Sequence, residues 1–130
     1  MKTVVINPTG LTMQDVLDIA RNDAKIEISQ ETVDAMTVTR NQVEALASSS
    51  EAVYGISTGF GALANTSIAS KDRVQLQKSL IRSHAAGIGP VVEREVVRAL
   101  MTLRLKTLAS GRTGARPILV QTMAEILNAG

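Results

Sequence analysis

Only two of the 130 side chains are large aromatic rings, and both, Tyr54 and Phe60, fall within one glycine-studded stretch, VYGISTGFGALANTSIAS (53–70). A chain so poor in rings has to build its interior from Leu, Ile, Val, Met and Ala. Such side chains pack well between helices, so the sequence points to an aliphatic, helical core. Its length is that of one domain, with an apolar content of 45%, enough to bury about two thirds of the surface its unfolded form exposes. The rings therefore sit away from the expected core, where Gly55, Gly59 and Gly61 prevent a regular helix.

On either side of that stretch the pattern is regular. TVVIN (3–7) is β-branched, meets Pro8 and predicts a short strand. Thr12 with Asp15 predicts a helix start, and Val16, Ile19 and Ala20 form its narrow apolar face. KIEIS (25–29) alternates and predicts a second strand, after which Ser29 caps a helix through QETVDAMTVTRNQVEALAS with Val33, Met36, Val43 and Leu46 as its buried candidates. Beyond the glycine stretch, Ser70 is expected to cap KDRVQLQKSLIRSHAAG, with Val74, Ile81 and His84 on one face and Gly87 and Gly89 ending it. Pro90 is expected to open PVVEREVVRALMTLRLKTLAS, whose apolar stripe reads as Val96, Leu100, Leu103 and Leu108, with Gly111 as its stop. GRTGARP reads as a turn, and Pro117 opens PILVQTMAEILNAG. That last helix carries a broad apolar surface of Ile118, Leu119, Met123, Ile126 and Leu127, which suggests the first part of something longer. The fold class expected is mainly α with a small β element near the start.

Several kinds of chemistry are excluded. Fourteen basic against twelve acidic residues leave a formal net charge of only +2, too mild and too evenly spread for nucleic acid or a charged membrane. The absence of cysteine removes disulfides and thiolate chemistry. A single histidine without HExxH spacing gives no metal site. No apolar run approaches membrane-spanning length, and Pro8 interrupts any signal-peptide core, so a cytoplasmic protein is expected. Glu93, Glu95 and Asp15 stand singly, with no carboxylate pair.

Gly59, Gly61 and Ala64 match one form of the dinucleotide fingerprint, but no strand precedes them and loop continues to Ser70, so nucleotide binding is rejected. Two readings of the stretch remain. It is a surface connection anchored by its rings, or a glycine-hinged lid that brings Tyr54, the only phenol, into a site as acid or base. A free phenol titrates near 10 and would need to fall by about three units to be half ionised at neutral pH; burial moves it the wrong way, so cations, dipoles or donors must supply about 4 kcal/mol. His84 is open to a structural or a site reading too; in SHAAGIG its small neighbours leave room for a ligand beside the ring.

YGISTGFGALA (54–64), LQKSLIRSHAAGIG (76–89) and TLASGRTGARP (107–117) occur in the order and spacing of the aromatic amino-acid ammonia-lyases, and the chain resembles their histidine branch most. The resemblance covers essentially all of residues 1–130, as one N-terminal domain of a longer lyase with 50–69 as its active-site lid loop. It implies a mainly α, fumarase/aspartase-like helical domain, a homotetramer, and elimination of ammonia from L-histidine to give urocanate. By position, Tyr54 matches the tyrosine implicated in proton transfer, Gly61 a loop glycine lining the substrate pocket, and His84 the histidine near the substrate side chain. Ser83–His84 favours histidine, since tyrosine- and phenylalanine-specific relatives typically show His-Leu and Phe-Leu there.

Two departures accompany the resemblance. Ser57 stands where relatives often have Asn or Thr. The family's electrophile, a methylidene-imidazolone (MIO), forms from an internal Ala-Ser-Gly, and Ala109-Ser110-Gly111 is not that tripeptide. It aligns instead with the Gly-x-Ser/Thr-Gly-x-Arg turn, and the cyclising sequence is expected further downstream. The β-hydrogen of an amino acid is barely acidic and its ammonium leaves poorly, so Tyr54 alone cannot drive elimination, and the isolated 130 residues are expected to be inactive. The competing expectation is a non-catalytic helical module that associates through its apolar last helix.

Overall fold

Alternation in the two β-branched segments becomes a small parallel sheet. In this computed structural model, which describes residues 2–130, β1 (Thr3–Ile6) pairs with β2 (Lys25–Ile28), Val4 opposite Ile26 and Ile6 opposite Ile28. Matching register puts the apolar residues of both strands on one face, where Val4, Ile6 and Ile26 are buried. Helix α1 (Met13–Arg21) links the strands. Its start is the capping box the sequence predicts, Asp15 N–H donating to Thr12 Oγ1 and Thr12 N–H to Asp15 Oδ2, both at 3.1 Å. The outer edge of β2 meets a side chain in place of a third strand. The Asn128 amide accepts from Ile26 N–H at 2.8 Å and donates to Ile26 O at 2.9 Å.

Helices α2 (Gln30–Ser48), α3 (Ser70–His84), α4 (Arg94–Ala109) and α5 (Pro117–Ala129) complete the chain, with a single 3-10 turn at Gly61–Leu63. Ser29 caps α2 as expected, its Oγ accepting from Thr32 N–H at 3.2 Å. Pro117 occupies the first turn of α5. The turn between α4 and α5 is held against α2, with Thr39 Oγ1 donating to Gly111 O. At Gly111, φ is +71°, and a Cβ there would come within 2.9 Å of the Ala35 Cβ. Only glycine fits.

The fold consists of two compact units, one running up to Gln42 and resuming over Val91–Gly130, the other Val43–Pro90. The first holds the whole aliphatic core: Val4, Ile6, Ile19, Ala24, Ile26, Met36, Leu105, Leu108, Ala109, Val120, Ala124 and Leu127. The second has no buried apolar side chain; its buried residues are Ser57, Thr58 and Gly59.

Five expectations need correction. Ser70 lies inside α3, not at its cap; Ala69 takes that place and offers no side-chain bond. The helix stops at His84, before Gly87, and α4 begins at Arg94, four residues after Pro90. The stretch 81–97 is exposed throughout, and helices draw most of their stability from a buried face. Arg98 is the first buried residue of α4, one turn into the helix, so winding begins only where packing supports it. The expected stripe is also displaced: Val96, Leu100 and Leu103 are exposed, and only Leu108 of the four is buried. The face that packs is Arg98, Thr102, Leu105 and Ala109, with Leu108 beside it. On α2, Met36 is buried as expected, Val33 and Val43 are half-buried and Leu46 is exposed.

Candidate active site

All three predicted site residues belong to the second unit. The loop carrying Tyr54 is crossed by several backbone hydrogen bonds. Its first part is a tight turn in which Ile56 N–H and Ser57 N–H both donate to Val53 O, at 3.0 and 2.9 Å. Its second part returns as a one-residue antiparallel bridge between Thr58 and Ser67, with Gly59 N–H donating to Thr66 O and Ile68 N–H to Ser57 O. The 3-10 turn lies between them. Gly59 is required where these segments cross, because a Cβ there would sit 2.5 Å from the Leu63 Cβ.

Hydroxyls fill the interior of this turn. Ser57 Oγ accepts from Val53 N–H at 2.9 Å and donates to Glu51 O at 3.1 Å. Thr58 Oγ1 accepts from Gly55 N–H at 3.3 Å and donates to Gly59 O at 3.0 Å. At the far end Arg73 ties α3 to its surroundings, Nε donating to Ile68 O at 3.0 Å and Nη1 to Ala47 O at 2.7 Å. Its cation thus meets the C-terminal turn of α2, which has no basic residue of its own.

Tyr54 projects from the turn with 64% of its surface exposed. Its ring packs edge to face with Phe60, centroids 5.9 Å apart and planes at 80°. The two rings thus pack on each other within the loop. Gly61 is exposed, with open space where a side chain would be. His84 is the last residue of α3, and its Nδ1 lies 2.9 Å from Leu80 O and 3.0 Å from Ser83 Oγ. A carbonyl oxygen can only accept, so Nδ1 is the donor in the contact with Leu80 O. Among the described residues no hydrogen bond or ring contact joins Tyr54 to His84. They are presented on the same unit rather than assembled into a closed pocket.

Two apolar grooves lie elsewhere. One, about 460 Å³, is lined by Leu11, Val16, Leu17, Leu103 and Lys106 among others, and a second of about 380 Å³ lies between α4 and α5; neither includes Tyr54, Gly61 or His84. Burial holds the Lys106 ammonium below its usual range, and it donates to Asn7 O at 2.6 Å. Among the described residues no three His, Asp or Glu side chains gather where they could share a metal ion. Ala109-Ser110-Gly111 does not fit the imidazolone group. Ala109 is buried at the end of α4, Ser110 Oγ donates to Thr107 O at 2.8 Å, and Gly111 is pinned against Ala35. These three residues terminate a helix.

Tyr54, Gly61 and His84 are distinctive in the sequence, Ser57 is visible there only as a departure from the family pattern, and Thr58 and Arg73 carry no such mark. A Ser-Thr pair beside glycines carries a weak signal of hydroxyl-to-backbone bonding; nothing in the local pattern marks Arg73.

Residues 11–130 match the family model described as aromatic amino acid lyase. The histidine ammonia-lyase of Streptomyces avermitilis is 60% identical over 130 residues, all of this chain and 25% of that protein. Among solved structures, a histidine ammonia-lyase from Trypanosoma cruzi superposes with a TM-score of 0.86 at 33% identity, over 100% of this chain and 25% of the other. A tyrosine aminomutase from Streptomyces globisporus superposes at 0.90 and 32% identity, over 97% and 24%. The chain spans about a quarter of the length of the curated relatives it matches.

Proposed function

Because the chain belongs to the aromatic amino acid lyase family, we propose that it supplies the Tyr54 loop and the His84 helix end to a histidine ammonia-lyase. The reaction removes a proton from Cβ and ammonia from Cα of L-histidine, leaving the α,β-unsaturated acid urocanate. Tyr54 is the proton-transfer group. His84, with Nδ1 donating to Leu80 O, has Nε2 left to accept a hydrogen bond from the substrate imidazole N–H. A phenyl side chain has no such donor and cannot make this bond. Gly61 leaves the space that the substrate needs.

When present, the family's imidazolone provides the electrophilic activation that makes the β-proton removable. Ala109–Gly111 does not supply it, so on this reading it comes from another part of the complete polypeptide. The complete protein is further proposed to be a cytoplasmic homotetramer.

The observation that carries this reading is the exposed phenol on a hydrogen-bonded turn, in a segment 60% identical to a histidine ammonia-lyase. Its test is turnover of L-histidine by the complete polypeptide, followed by the ultraviolet absorbance of the conjugated product. Tyr54→Phe is expected to leave folding intact and to lower kcat by about 10²–10⁴. Near-normal turnover by that variant would remove Tyr54 from the chemistry.

A further inference from the structure

The second unit uses its most enclosed positions in an unusual way. Burying a hydroxyl is unfavourable unless it is hydrogen-bonded, and a segment short of core would be expected to place an aliphatic side chain there. Instead Ser57 and Thr58, 2% and 3% exposed, take those places. What they bind is specific. Ser57 Oγ holds the N–H of Val53, the residue before Tyr54, and Thr58 Oγ1 holds the N–H of Gly55, the residue after it. Each hydroxyl also donates onward, to Glu51 O and Gly59 O, so neither is left with an unused hydrogen.

We propose that Ser57 and Thr58 are positioning residues for Tyr54, two buried hydroxyls that grip the backbone on both sides of it and fix the direction of the phenol. This rests on the proton-transfer role assigned to Tyr54 above. With Phe60 against its ring, Tyr54 is carried on a preformed, hydrogen-bonded turn. Misplacing a reacting group by about 1 Å can cost on the order of 10² in rate. An ordinary turn-stabilising bond would instead change stability and leave the chemical step alone.

The experiment compares wild type, Thr58→Val, Thr58→Ser, Ser57→Ala, Tyr54→Phe and the double variant Tyr54→Phe/Thr58→Val, all as the complete polypeptide with folding checked by circular dichroism. Thr58→Val keeps the shape and loses the hydroxyl; its kcat for L-histidine is expected to fall about 10²-fold with KM changed only slightly. Thr58→Ser restores the hydroxyl and is expected to restore kcat. In the Tyr54→Phe background, Thr58→Val should cost little more, because the group it positions is already gone. Ser57→Ala provides an independent reading should Thr58→Val fail to fold. The proposal is overturned if Thr58→Val and Ser57→Ala keep wild-type kcat while Tyr54→Phe loses it, or if the losses multiply in the double variant. A wild type without turnover, or a fully active Tyr54→Phe, would overturn the proton-transfer reading itself and this proposal with it, a pattern distinct from the first two.

Discussion

Asp18 lies where three donors converge: Lys2 Nζ at 2.6 Å, Gln14 Nε2 at 2.9 Å and Asn22 Nδ2 at 3.0 Å. Lys2 contributes most, followed by the two amides, and together they hold the carboxyl at about 2. A carboxylate whose folded value lies below its unfolded one stabilises the fold above the ordinary carboxylate range. That contribution disappears as pH falls from about 4 toward 2. Thermal melts should therefore show a drop in Tm over this window, and Asp18→Asn should be less stable than wild type at pH 6 yet converge with it near pH 2. Parallel curves at all pH values would contradict this. At the same scale, the candidate site was partly legible in the sequence. Tyr54 and His84 stand out because each is the only one of its kind in a distinctive block. Ser57 and Thr58 do not, because a hydroxyl among glycines looks solvent-facing until the chain folds back over it.

Among the elements, α4 is the instructive case. Its buried face contains Arg98, 5% exposed, whose Nε donates to Ile19 O at 3.0 Å and whose Nη1 donates to Leu127 O at 2.7 Å. Both carbonyls lie in the last turns of their helices, α1 and α5, where backbone acceptors lack intrahelical partners and the dipole favours a cation. One guanidinium thus closes two helix ends. Arg98→Met keeps the apolar stem but strands both carbonyls, and a loss of roughly 3 kcal/mol is expected in denaturant titration; a change under about 0.5 kcal/mol, the range of ordinary surface substitutions, would mean water replaces the cation. This also explains why the two strands, the Thr12 and Ser29 caps and the Pro117 start could be read locally, whereas the stripe of α4 could not, and the limits at Ser70, Gly87 and Pro90, in exposed chain, were misplaced. Periodicity assigns Leu and Val to the interior, and it has no means of placing an arginine there whose partners are 79 and 29 residues away.

For the molecule as a whole, stability is unevenly distributed. Every buried aliphatic side chain belongs to the unit that runs up to Gln42 and resumes at Val91. Val43–Pro90, which carries Tyr54, Gly61 and His84, relies on backbone bonds, Arg73 and two hydroxyls. Regions with few buried apolar contacts open at low free energy, so amide hydrogen exchange should be faster over 43–90 than in β1, α1, β2 and the inner face of α4. Equal protection in the two units would show that something other than burial stabilises the second. The sheet carries one last consequence. A strand's free edge is a template onto which another polypeptide can grow. By occupying both main-chain groups of Ile26, Asn128 denies newcomers a docking rung on that side and guards the protein against fibril-like recruitment.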